Sequence, residues 1–149
     1  MKKIATIILN RNLPEPTEKL YEHIIKYDGE YTDIFILEAG SDKDKLSKYY
    51  TWHANTEEIN REGLRYSRGM NYGLLQLFKE KKWKQYEGFF LLTNDTELHP
   101  TQTLAPMYQL LKDHLRVGIF SPCSRKWGEQ LLLKETDTKY FWYIHNNAF

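Results

Sequence analysis

Four polar segments in this chain each follow an apolar run or open a helix. They are Asn10-Arg11-Asn12, Glu38-Ala39-Gly40-Ser41, Arg65-Tyr66-Ser67-Arg68-Gly69-Met70-Asn71 and Thr93-Asn94-Asp95-Thr96-Glu97. Between them they carry carboxylates, carboxamides, hydroxyls and guanidinium groups, the side chains that hold polar ligands by charge and hydrogen bond. Singly, each has an ordinary local explanation. Asn-Arg-Asn makes a turn, Gly-Ser caps a helix, and Asp-Thr-Glu makes a capped turn before the next element. Their joint placement at the ends of apolar strands is what points to a ligand site.

The elements that position them follow from periodicity. Ile4 to Leu9 is a short, largely β-branched run closed by polar residues, the pattern of a strand buried on both faces. Pro14-Glu15-Pro16-Thr17 opens a helix with Leu20, Tyr21, Ile24 and Ile25 on one side, and Asp28-Gly29 stops it. Asp33 to Glu38 reads as a second buried strand, after which the Ser41 hydroxyl is placed to cap a short charged helix. A third, short strand is expected within 49–54. From Ser67 a helical stripe of Met70, Leu74, Leu77 and Phe78 dissolves into Lys79-Glu80-Lys81-Lys82. Gly88 to Leu92 is another buried strand, and Thr103 to His114 a helix with Leu104, Met107, Leu110 and Leu111 on one side. Val117 to Phe120, Gln130 to Leu133 and Lys139 to Ile144 are further strand candidates. Strands alternating with helices predict a doubly wound α/β sheet, mostly parallel with helices on both faces, in one domain spanning 1–149. Ligands of such sheets sit outside the carboxyl ends of the strands, where the strand order reverses.

Composition excludes several functions. The chain has 149 residues, with 21 Lys plus Arg against 20 Asp plus Glu, a net charge of +1 that gives no nucleic-acid footprint. Lys79 to Lys84 reads as a solvated helix end. The single cysteine, Cys123, cannot form an internal disulfide and suits a reducing, cytoplasmic setting. The apolar stretch after Met1-Lys2-Lys3 is too short for a secretory signal, and no run approaches the ~20 residues needed to span a bilayer. Dinucleotide binding would need GxGxxG straight after the first strand, where the chain reads Asn10-Arg11-Asn12-Leu13-Pro14, and there is no phosphate-binding GxxxxGK[ST] loop. The five histidines lack zinc-site spacing; His99 before Pro100 marks a loop, and His145 reads as structural, with a metal or diphosphate contact as its functional alternative. Tyr140-Phe141-Trp142-Tyr143 reads as an aromatic strand core rather than a sugar-stacking platform.

The order of the four clusters resembles the inverting, nucleotide-sugar-dependent glycosyltransferases of the GT-A fold, specifically family 2. The matching stretches are Leu9-Asn10-Arg11-Asn12 after the first strand and Leu37-Glu38-Ala39-Gly40-Ser41 after the second. Arg68-Gly69-Met70-Asn71-Tyr72-Gly73 matches at a helix start, and Leu91-Leu92-Thr93-Asn94-Asp95-Thr96-Glu97-Leu98 at a later strand end. Together they cover roughly residues 4–100. The resemblance implies that Glu38, one methylene longer than the family's Asp, accepts the ring N–H of uracil, thymine or guanine. It puts Leu9, Asn10 and Arg11 beside base and ribose, with Gly40 and Ser41 in the same loop. Arg68 becomes a cation toward the nucleotide, and Asn71 a brace for its loop. Asn94 and Asp95 stand at the metal motif, where Asp95 holds Mg²⁺ or Mn²⁺, Thr93 replaces the first acid, and Glu97 is a second carboxylate. Such an ion takes one or two protein carboxylates, with phosphate oxygens and waters completing its octahedron, and neutralises the diphosphate leaving group.

An inverting enzyme also needs a base for the acceptor hydroxyl. The family's base lies downstream of a segment that Asn146-Asn147-Ala148-Phe149 resembles at its beginning, so the chain reads as the donor-binding part only. No catalytic residue is assigned; Asp113 and Asp137 are the acids left to guess from. The expected partners are a nucleoside-diphosphate sugar of UDP, dTDP or GDP type and a glycan or other hydroxyl acceptor, with a homodimer conceivable. The alternative is a non-catalytic nucleotide-sugar-binding or interaction module of the same fold.

Overall fold

The computed structural model describes residues 2–116 and 118–120. Four strands, β1 (Lys3–Asn10), β2 (Thr32–Ala39), β3 (Trp52–Ala54) and β4 (Tyr86–Thr93), form one sheet in the order β3-β2-β1-β4. Every pairing is parallel. Helix α1 (Pro14–Asp28) joins β1 to β2, a loop with one short 3-10 turn joins β2 to β3, α2 (Glu57–Glu62) and α3 (Tyr66–Lys79) join β3 to β4, and α4 (Leu104–Asp113) follows β4. The chain steps outward from β1 to β3, then crosses back to lay β4 on the other side of β1. Because parallel crossovers are right-handed, a reversal of direction puts the returning helix on the opposite face. The result is an α/β, Rossmann-like fold whose strand order reverses between β1 and β4.

Alternation along β1 sorts the core into two layers. Ile4 and Ile8 pack with Leu20 and Ile24 of α1 and with Leu104 and Tyr108 of α4. Ala5 and Ile7 face the other way, onto Met70 and Leu77 of α3. Both faces are covered, which is why β1 reads as a continuous apolar run rather than an alternating one. The one polar interruption, Thr6, is satisfied across the strand pair by the Thr32 hydroxyl at 2.7 Å. Helix α3 approaches β1 closely through its glycines. A Cβ on Gly69 would lie 2.5 Å from Leu9 Cδ1, and one on Gly73 3.0 Å from Ile7 Cγ2.

Asp28 ends α1 and also starts α4, its buried carboxylate accepting from the backbone amides of Thr103 (3.1 and 3.0 Å) and Leu104 (3.0 Å). It thereby satisfies orphan donors of a helix 75 residues further on. Three features depart from the sequence reading. Ser41 caps no helix: its hydroxyl is drawn to Glu38, and the single 3-10 turn at Lys43–Lys45 has no side-chain cap. Helix α2 was not foreseen. Residues 118–120 carry no strand. The strand candidates at 130–133 and 139–144, together with Cys123, Asp137, His145 and the 146–149 segment, lie outside the described residues. Among the described residues no helix is long and apolar enough to cross a membrane.

Candidate functional site at the strand ends

The polar clusters meet at the carboxyl ends of β1, β2 and β4, organised by a buried carboxylate. Asn10 and Glu38 are register partners on β1 and β2, and both are fully buried. Glu38 Oε1 accepts from Asn10 Nδ2 (3.1 Å) and from the Ser47 amide (2.8 Å). Its Oε2 accepts from Asn10 Nδ2 (2.9 Å) and the Ser41 hydroxyl (2.5 Å). A carboxylate has about four lone-pair directions, so these donors use its capacity. Burying the charge is tolerable because it is this fully hydrogen-bonded. In this arrangement Glu38 faces the protein's own donors rather than an open cleft.

The network reaches the neighbouring loops. Asn10 Oδ1 accepts from the Leu13 amide (3.3 Å) and from Asn94 Nδ2 (2.8 Å), joining the end of β1 to the turn after β4. Asn12 sits in the left-handed region (φ 58°) and ties the two loops twice. Its amide donates to Ser41 Oγ (3.1 Å), and its side-chain oxygen accepts from the Asp42 amide (2.8 Å). A ring nitrogen of His53, Nε2, lies 3.0 Å from the Ser41 carbonyl.

Arg11, Gly40 and Arg68 are gathered instead by α2. The Arg11 guanidinium donates to the carbonyls of Glu62 (2.9 Å), Asn60 (3.3 Å) and Arg61 (3.3 Å), covering the negative end of that helix. Gly40 (φ 82°) carries the turn into which α2 fits: an added Cβ would meet the Ile59 carbonyl oxygen at 2.2 Å. Arg68, exposed on the first turn of α3, pairs with Glu58 of α2 at 3.4 Å. Asn71 is exposed on the same helix, and among the described residues neither side chain is hydrogen-bonded to the Asp95 turn. Leu9 is a packing residue, its methyls against Gly69.

Asp95 and Glu97 are both exposed in the turn after β4. With Asn94 and Thr96 they line one wall of an open groove of about 680 Å³, whose other wall is Glu15, Lys19 and His23 of α1. Lys19 holds the Glu15 carboxyl below the usual carboxylate range through a 2.7 Å hydrogen-bonded ion pair, and is itself raised by it. The Thr93 and Thr96 hydroxyls are 3.3 Å apart. No group of three or more His, Cys, Asp or Glu side chains arranged to hold a metal occurs among the described residues. The donor set does fit a hard divalent ion bound mainly by substrate phosphates and water, which requires only one or two carboxylates. Asp95 and Glu97 would supply them.

Asp113 accepts from Gln109 (2.9 Å) at the end of α4, next to Lys112, which pairs with Glu87 near the start of β4. That is the opposite end of the sheet from the strand ends, so Asp113 is removed from any base role there. Missed in the sequence are Ser47 and α2, while Asn12, part of the first polar segment, is given no role of its own there. Helix α2 did have a signal: Thr56 followed by Glu57 and Glu58, Arg61 in the last turn and then Gly63. Ser47 had none, because it contributes through its backbone amide. No protein-family model, curated protein or solved structure matches the chain.

Proposed function

We propose that this chain binds the donor of a glycosyl transfer, a nucleoside-diphosphate sugar with Mg²⁺ or Mn²⁺, for inverting transfer to an acceptor hydroxyl. The observation that carries the reading is the 2.8 Å hydrogen bond from Asn94 to Asn10. It joins two of the four motif segments at the point between β1 and β4 where the strand order reverses, the place where open α/β sheets hold ligands. Asp95, exposed in the next position, is the carboxylate for the metal, and Glu97 assists it. The ion's chemistry is to neutralise the diphosphate as it leaves. Around it, Asn10, Asn12, Glu38 and Ser41 hold the loops after β1 and β2 in one shape, and Arg68, exposed and paired with Glu58 at 3.4 Å, is a cation that would exchange that partner for a phosphate. Glu38 acts in this reading as the brace of the base-binding loop.

A second reading is a nucleotide-sugar-binding module without catalysis. Its support is the inward-facing Glu38, with its acceptor directions taken, and Thr93 in place of an acid at the metal motif. Thermal unfolding with UDP, dTDP, GDP, CDP and ADP, each with Mn²⁺ or with EDTA, separates the two. A ligand at about 100 times its dissociation constant stabilises by roughly 2.7 kcal/mol, and each kcal/mol moves the midpoint about 2–4 °C at this size. The donor reading expects a shift with UDP, dTDP or GDP that is lost in EDTA and in Asp95→Asn. A shift indifferent to both supports the non-catalytic module, and no shift with any nucleotide overturns both.

A further inference from the structure

We propose that the turn joining α3 to β4 docks this protein on an anionic membrane surface. Leu75 and Phe78, three residues apart on α3, are 55% and 49% exposed, and Trp83 beyond the turn is 37% exposed. The opposite side of α3 is engaged, with Met70 and Leu77 buried against the sheet. Phe78 and Trp83 stack with ring centroids 4.9 Å apart, so the outward residues form one apolar ridge. Lys79, Lys81, Lys82 and Lys84 lie in the same turn, with the Lys84 ammonium over the Trp83 ring.

The only acid within this run, Glu80, is held by Lys82 at 2.7 Å and by the Trp52 indole N–H at 3.0 Å. Lys79, Lys81 and Lys84 are exposed and make no ion pair among the described residues. The backbone fixes how they project. Lys81 occupies a left-handed position (φ 57°) that glycine usually fills at a helix end. The amides of Lys81 and Lys82 close that end onto the carbonyls of Phe78 (3.0 Å) and Leu77 (2.9 Å). An apolar ridge carrying Trp within a collar of unmatched lysines complements an anionic lipid surface, where the rings enter the headgroup boundary and the ammonium groups meet phosphate.

Other occupants fit less well. A two-fold contact with a second copy would set the lysines against one another. A nucleic acid would need free ring faces, but Phe78 covers one face of the indole and the Lys84 ammonium lies 5.2 Å from its centroid. The ridge sits where α3 ends and β4 begins, at the opposite end of the sheet from Asn10 and Asp95, so the inference does not rest on the proposed function.

The test is co-sedimentation of the full chain with phosphatidylcholine vesicles, with and without phosphatidylserine, at low and high salt. Binding at least tenfold tighter to the anionic vesicles and lost at high salt is expected. Lys79→Gln, Lys81→Gln and Lys84→Gln should each weaken it roughly fivefold at low salt. Brominated lipid should quench part of the tryptophan emission, and that part should vanish in Trp83→Phe, a variant that keeps an aromatic ring against Phe78. Equal partition to neutral and anionic vesicles, binding indifferent to the three lysines, or no binding would each overturn the proposal. So would self-association abolished by Phe78→Ser without vesicle binding, since the ridge would then be a protein contact.

Discussion

Glu38 shows what a single residue can determine here. Its carboxylate collects Asn10, Ser41 and the Ser47 amide, and through Asn10 it reaches Asn94 on the far side of β1. Replacing it with Gln would leave one acceptor oxygen and an amide that opposes existing donors. Asn10 cannot flip to compensate, because its own oxygen already serves Leu13 and Asn94. Unpairing a buried donor costs about 1–3 kcal/mol. Glu38→Gln should therefore lower the unfolding free energy by that amount, with a correspondingly lower denaturation midpoint, while leaving the far-UV circular dichroism native. A midpoint within experimental error of the parent would show that the network contributes no net stability. The presence of Glu38 at a strand end was legible in the sequence; its inward orientation was not. That orientation depends on Asn10 of β1 and on the Ser47 amide, which come from separate segments whose approach no local pattern encodes.

At the scale of elements, α2 links the clusters that β1, β2 and α3 deliver. It rests on Gly40, its carbonyl end is covered by Arg11, and Glu58 meets Arg68. Gly40→Ala faces both a positive φ and a backbone carbonyl oxygen 2.2 Å from the new Cβ. A strained non-glycine position costs about 1–3 kcal/mol, and displacing α2 adds to it. The expected loss is 2 kcal/mol or more, about the upper half of that range. Gly88→Ala is the control: its Cβ would make an ordinary 3.4 Å contact with Leu111, and its stability should match or exceed the parent's. Equal stability of the two variants would mean that α2 is not seated by Gly40. The long elements were readable from their apolar spacing, with α1 and α3 matching the expected spans to within a few residues. Helix α2 escaped because its six residues bury none of their side chains and so lack an apolar stripe.

Across the whole molecule, the two ends of the sheet differ in kind. The carboxyl ends of the strands hold the buried amide and carboxylate network. The amino ends hold ion pairs and phenols, with Tyr86 donating to Asp33 at 3.2 Å and Lys3 paired to the same carboxylate at 2.8 Å. Burial first, then the Asp33 charge, push the Tyr86 phenol up to about 12. Burial alone does the same to Tyr66 at the start of α3. An unfolded tyrosine ionises near 10, so above that pH the unfolded chain releases protons that the folded chain keeps. The stability these phenols contribute is fully present below pH 10 and is lost as pH rises through about 12. Thermal midpoints should fall across that window, and less steeply in Tyr86→Phe; an unchanged slope would remove Tyr86 from the account. By itself the sequence determined the class of fold, because buried parallel strands and amphipathic crossover helices impose periods that survive as patterns along the chain. It also placed the polar clusters at strand ends. Only the tertiary structure decided which of those groups face each other and which face water, because hydrogen bonds among β1, β2 and the turn after β4 join residues 28 and 84 positions apart. No local period records such a meeting.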